Sequence, residues 1–393
     1  MTNYPKTSKT YSISFGRIWK TNTSSKLSTV ASSSWNLSSN KIRPLILFLV
    51  FLSLSPVFGK EKELTPEQIS KKKEVLSKII RYGTSQERKQ ALGELTRFPK
   101  ENAGELYDLI GEQLKSEKDM GMKIVLLKTI GDLDLKENKD TIITFFEDSN
   151  EDVAKQAVNS AKKMKLAEAT NPLLEKVKKE DFTKNSNSLS LYITALADLP
   201  DGKVAAPFLE TKFREKFNNA DMRGQIALYF GTVLYSEAES ALMEVAFDEI
   251  QPTTLRCYSM NTLGKLKSET AKPKLYELLD SLKKTAGKLD AKKAQSLKIY
   301  AIGALVTMGD KEVFQELNEF ARDDDSMVRL RAIEFMGSLK DPKALELLEY
   351  KRDRDPSPKV QKAAKKAIDQ INGKDSPVEE EKSIEEKPEE EPK

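Results

Sequence analysis

The chain of 393 residues has no histidine and a single cysteine, Cys257. Histidine is the commonest general acid/base near neutral pH and the commonest metal ligand, so its absence removes most hydrolytic and zinc chemistry. One cysteine excludes an internal disulfide. Cys257 lies in LRCYSM, an apolar-periodic stretch, and reads as a small buried hydrophobe. Aromatics are scarce at 7%, and both tryptophans, Trp19 and Trp35, fall in the first 40 residues. There is no G-x-S-x-G, no phosphate-binding glycine loop and no H-E-x-x-H. The run Asp323-Asp324-Asp325 lacks the alternating ligands and terminal Glu of a calcium loop and suits a helix start instead. These absences lead us to expect no catalytic residues, no metal and no cofactor.

Charge is plentiful at 32%, but unevenly spread. Residues 1–59 hold seven Lys/Arg and no acid, which leaves the remaining chain with 58 basic against 61 acidic residues. That balance argues against a nucleic-acid partner. Residues 1–40 include seventeen Ser or Thr, and read as a non-native or disordered leader. Either a start codon assigned too early or a transit peptide accounts for them. Residues 41–59, KIRPLILFLVFLSLSPVFG, place Lys41 and Arg43 before the apolar run Leu45–Leu54, with Val57-Phe58-Gly59 ahead of the first charge at Lys60. This pattern predicts a cleaved signal peptide, and hence a periplasmic or secreted protein. A membrane association follows only if 41–59 stays uncleaved as an anchor.

After a predicted N-terminal capping helix over 60–83, which starts at Thr65-Pro66-Glu67-Gln68 and ends at Gly83, residues 84–372 repeat. The clearest copy is DSMVRLRAIEFMGSLKDPKALELL at 325–348. Aligning on Val328-Arg329 gives starts at Glu87, Met122, Val153, Ser188, Met222, Leu255, Leu297 and a final Val360. Spacings run from 31 to 35 residues, with one of 42 across a Lys-rich insertion at Ser281–Gln295. Small or aliphatic residues follow four positions on, and larger apolar ones eight on, so offsets 0, 4 and 8 share one helical face. A period of this size means stacked helix pairs. Residues 373–393 hold eight Glu and three Pro after the last Gly, a composition that cannot offset its ordering entropy, so a disordered acidic tail is expected.

The pattern D-x-x-V-R-x-x-A-x-x-x-M-G-x-L-x-D-x-x-A-x-x-x-L in 325–348 resembles the HEAT-like repeats of the phycobiliprotein-lyase type, with decay over about 84–372. Tetratricopeptide repeats share the period, but their Trp-Leu-Gly and closing Pro are missing. The resemblance implies an all-α, right-handed α-solenoid of stacked antiparallel helix pairs. It also implies that the basic column Arg88, Lys123, Arg223, Arg256, Lys298 and Arg329 joins with acids such as Asp325 in a structural ladder between repeats. In that family the helix carrying the column lines the concave side. Residues three positions on then form a Gln/Tyr stripe, from which Gln156, Gln225, Tyr258, Tyr300 and Arg331, with Tyr229 nearby, are the candidate partner-binding residues. Tyrosine offers large contact area and a polar tip at low entropy cost. The expected function is a non-catalytic protein-binding scaffold for a protein or peptide. A membrane-anchored assembly factor and a phycobilin-lyase-like enzyme or chaperone are the alternatives.

Overall fold

A computed structural model describes residues 65–284 and 290–374, all within the compact unit Leu64–Lys393. The leader and signal segment, and the acidic tail from 375, lie outside the described residues. Among the described residues every regular element is helical, and no helix is long and apolar enough to cross a membrane.

The opening helix is α1 (Pro66–Tyr82). The column-bearing helices are the even-numbered ones: α2 (Ser85–Leu95), α4 (Met120–Leu133), α6 (Glu151–Lys163), α8 (Asn187–Asp198), α10 (Ala220–Val233), α12 (Thr253–Lys265), α14 (Ala291–Met308), α16 (Ser326–Leu339) and α18 (Pro358–Ile371). Between them lie α3 (Gly104–Ser116), α5 (Lys139–Thr144), α7 (Thr170–Lys178), α9 (Ala206–Arg214), α11 (Glu239–Phe247), α13 (Ala271–Lys284), α15 (Phe314–Phe320) and α17 (Leu345–Arg354). Each odd helix makes its closest backbone approach to the even helix that follows it. Consecutive even helices also pack side by side, whereas odd helices touch one another little. The chain is therefore an α-solenoid of nine helix pairs among the described residues, and α1 packs on α2 as the other odd helices pack on theirs.

The sequence explains these elements locally. Thr65 and Gln68 form a reciprocal capping box, with Pro66 in the first turn. Thr84 and Glu87 repeat it at α2, which is why Glu87 is exposed where the other repeats carry a buried residue. Asp119, Asn150, Ser186, Asn219, Asp290 and Asp325 cap later even helices through their side chains. Asp325 accepts from the Met327 N–H at 2.8 Å, so its side chain is a cap and not the ladder acid expected of it. Residues at offset 4, from Ala91 through Ala157, Tyr192, Ser259 and Ala332 to Ala364, are buried throughout. The insertion lengthens helices: α13 and α14 run 14 and 18 residues.

Each even helix from α4 to α16 except α8 is followed within two residues by a left-handed residue, Asp134, Lys165, Leu234, Lys267, Gly309 and Lys340, and after α8 the left-handed residue is Asp201, beyond Pro200 and the extended Leu199. After five of them the next N–H reaches back to a carbonyl five residues earlier, as Tyr235 does to Phe230 at 3.0 Å, which is the Schellman closure. Only Gly309 has the residue type that this backbone favours. Gly83 has an extended backbone with φ of −71°, and its lack of a side chain serves proximity, since a Cβ there would sit 2.6 Å from the Ile79 carbonyl.

Small residues let the even helices approach. A Cβ on Gly264 of α12 would lie 2.7 Å from Ala304 Cα on α14. At matching positions Ser160 Oγ donates to Leu127 O (2.8 Å) and Thr262 Oγ1 to Ala227 O (2.6 Å), each bond tying one even helix to the one before it. Buried hydroxyls are thereby satisfied by backbone carbonyls that have a second lone pair available.

Candidate interaction surface

The basic column sits where successive pairs join. Arg88 reaches Glu117 at 2.8 Å, Lys123 reaches Asp148 at 2.9 Å, and Arg329 grips Asp355 through Nε and Nη2, each at 3.0 Å. All three acids occupy the position two residues before the next helix cap, where each also accepts the cap residue's N–H. A carboxylate therefore fixes the turn and binds the preceding pair's base together. Burial by itself raises the Asp355 pKa; the Arg329, Ser357 N–H and Lys351 hydrogen bonds outweigh it and hold the carboxyl at about 2.

Elsewhere the ladder changes. Arg223 donates to Phe213 O (2.8 Å) and Gln251 Oε1 (3.2 Å), and Arg256 donates to Ala246 O (3.1 Å). Both guanidiniums are buried, and burial lowers both pKa values. Lys298 is half-buried and makes no ion pair among the described residues. Ala154 and Leu189 interrupt the column, and Lys184, Phe217 and Ile250 stand at the three acid positions that follow α6, α8 and α10. Phe217 is 72% and Ile250 91% exposed. No sequence motif marks them. Their signal was the repeat column itself, in which an apolar residue stands where other copies have an acid.

The stripe residues divide. Tyr258 and Tyr300, on adjacent even helices, meet edge to face with ring centroids 6.3 Å apart, and both are half-buried. The Tyr258 ring also covers Gly224 of α10. Gln225 is half-buried, and so is Gln156, whose Nε2 donates to Ser160 Oγ at 3.3 Å. Arg331 is exposed and pairs with Glu334 at 3.0 Å. Tyr229 does not belong to this face: it is 2% exposed, and its hydroxyl donates to Gly202 O at 2.5 Å. It occupies the inter-helix position that Thr262 and Ser160 fill in other repeats. Burial raises its pKa. Cys257 is buried and its thiol is pushed up to about 12, again by burial. Among the described residues no group of three or more acidic or cysteine side chains could hold a metal ion.

Residues 284–369 match the family described as HEAT repeats. No curated protein matches the chain. Among solved structures, the karyopherin Kap121p bound to the extreme C-terminus of the protein phosphatase Cdc14p is 14% identical, over 81% of this chain and 39% of that one, with a TM-score of 0.44. The complex of CpcE and CpcF of phycocyanin lyase from Nostoc sp. PCC7120 is 16% identical, over 67% and 94%, with a TM-score of 0.40. Human deoxyhypusine hydroxylase in complex with glycerol is 16% identical, over 68% and 96%, at 0.29. The chain spans under two fifths of the Kap121p chains it matches, such as 38% of one of them. Residues 284–369 are thus similar to HEAT repeats, and they lie within a solenoid of nine helix pairs among the described residues.

Proposed function

We propose that the chain is a non-catalytic scaffold that binds a protein or peptide along its layer of even-numbered helices, and that it is exported to the periplasm or cell envelope. The observation that carries the binding reading is the Tyr258–Tyr300 pair, in which two large amphipathic side chains on neighbouring helices stay partly exposed. A repeat array builds a binding face by stacking, without a central cavity. The depression beside α9 is lined by paired charges, as Arg214 pairs with Glu210 at 2.7 Å.

The test is the double substitution Tyr258→Ala/Tyr300→Ala. Partner capture by chemical crosslinking should fall while the far-ultraviolet circular dichroism stays helical. Capture at the wild-type level would overturn the role of this face.

Export rests on Lys41, Arg43 and the apolar run Leu45–Leu54. The intact mass of the chain from fractionated native cells decides it. A mass beginning near Lys60 in the soluble envelope fraction supports export. A membrane-bound chain retaining 41–59 makes it an anchored assembly factor, and a full-length cytoplasmic chain defeats the reading. Bilin-dependent absorbance with an apo-phycobiliprotein would instead favour a lyase-like role.

A further inference from the structure

Three junctions of the solenoid share one device, a base on an even helix gripped by a carboxylate two residues before the next cap: Arg88 with Glu117, Lys123 with Asp148 and Arg329 with Asp355. At the junction of α10 with α12 the base is kept and the acid is not. Arg223 is 4% exposed, and the acid position is filled by Ile250, whose side chain stands out in solvent. The guanidinium is held by two neutral oxygens, Phe213 O and Gln251 Oε1. Among the described residues no carboxylate accepts from it, and its Nη2 has no hydrogen-bond acceptor. The Glu244 charge nearby favours the guanidinium, but a buried cation whose hydrogen bonds all go to neutral oxygens still has electrostatic capacity left over.

A depression of about 170 Å³ opens beside this guanidinium, lined also by Phe213, Arg214, Lys216, Glu244 and Gln251. Lys216 and Arg214 already have carboxylate partners, Glu244 and Glu210, which leaves Arg223 as its cation without an ion pair of its own among the described residues. The volume is below the range of roughly 300–1,000 Å³ that small-molecule sites occupy, and it suits one side chain. Phe217 follows Lys216 and Ile250 precedes Gln251 in the chain, so two exposed apolar side chains flank the lining residues in sequence. Arginine is enriched at binding hot spots, which seat large side chains in pockets that a partner desolvates.

We propose that this depression receives an aspartate or glutamate side chain from a protein partner, which supplies in trans the carboxylate that the other three junctions supply from within the chain, while Phe217 and Ile250 cover apolar residues beside it. The proposal rests on the scaffold reading above and places a contact of that partner at the α10–α12 junction.

The experiment uses a display library of random 12-residue peptides selected against the intact chain. Peptides enriched on the wild type should carry an acidic residue within a few positions of a large apolar one. Their affinity should fall at least tenfold in Arg223→Gln and in Phe217→Ser/Ile250→Ser. The decisive variant is Ile250→Asp, which places a carboxylate at the ladder position within the chain. Because Ile250 is exposed, this change leaves the packing intact, and it should lower peptide affinity at least tenfold while raising the melting temperature or leaving it unchanged. Enriched peptides without an acid, or peptides that bind Ile250→Asp as tightly as the wild type, overturn the proposal. If those peptides instead lose affinity in Tyr258→Ala/Tyr300→Ala, the scaffold reading stands and only this site fails. Enrichment no higher than on an unrelated control protein overturns both.

Discussion

Arg329 and Asp355 meet side-on across the junction of α16 with α18, Nε to Oδ2 and Nη2 to Oδ1, in a contact from which solvent is almost excluded. The same guanidinium donates to the Asp323 and Asp324 carbonyls at 2.9 and 2.8 Å, and Lys351 adds a second cation to the carboxylate at 3.1 Å. One side chain thus fastens two turns and two helix pairs. Arg329→Ala leaves a buried carboxylate short of its main partner and should lower stability by about 3 kcal/mol. Urea denaturation followed by circular dichroism measures it.

The same pair sets a pH dependence. Asp355 is held at about 2 in the folded chain against an ordinary 3.8. Its folded pKa is depressed, so its contribution is complete above about 4 and disappears as pH falls through about 2, a loss of about 2 kcal/mol. Asp355→Asn should flatten this part of the stability curve. An unchanged slope between pH 4 and 2 in that variant would count against the assignment.

Two glycines in even helices should respond oppositely to alanine. Gly264 faces the Ala304 backbone, so Gly264→Ala should destabilise by about 1–3 kcal/mol through overpacking. Gly93 in α2 has open space where a Cβ would stand, with nothing within 4 Å, so Gly93→Ala should stabilise by up to about 1 kcal/mol through helix propensity. Thermal melts of the two variants give the comparison directly.

The left-handed helix ends offer a second opposed pair. Leu234 holds φ at 52° with its side chain 57% exposed, so Leu234→Gly should be stabilising, by at most about 1 kcal/mol, because backbone strain is relieved at some entropic cost. Gly309 holds φ at 81°, and Gly309→Ala should cost about 1 kcal/mol. Both are read from denaturant midpoints.

Cys257 should be silent in the folded chain. With its thiol buried and titrating near 12, alkylation by iodoacetamide at pH 8 should proceed only at the rate of unfolding. Rapid labelling without loss of helicity would show that α12 opens locally.

Helix type, period and caps were legible in the sequence because they are local: offsets 0, 4 and 8 are set by 3.6 residues per turn, and Thr65 or Asn150 caps whatever follows it. The solenoid class followed, since a helix pair with one apolar stripe must stack to bury it. Partner choice among helices was not local. The repeat frame joins each even helix to the odd one after it, whereas backbone packing joins it to the odd one before, an outcome that loop length and the close approach of even helices decide together. The ends of those helices were missed for a related reason: six of the seven left-handed residues are not glycine, and the Schellman closure that holds four of those six exists only once the turn is folded.

The candidate face divides along the same line. Residue type and spacing alone placed Tyr258 and Tyr300 on one stripe, and the structure brings their rings together. Tyr229 differs from them only in its rotation about α10, and the tertiary structure turned it inward to Gly202. Asp325 has the right chemistry for a ladder acid, yet its reach was spent on its own helix N-terminus, while the acids two residues before the caps took the bases. By itself, then, the sequence determined a helical repeat array without histidine chemistry, because pattern and composition act residue by residue. Only the tertiary structure decided which charges meet and which side chains face outward, because those depend on neighbours some thirty residues away along the chain.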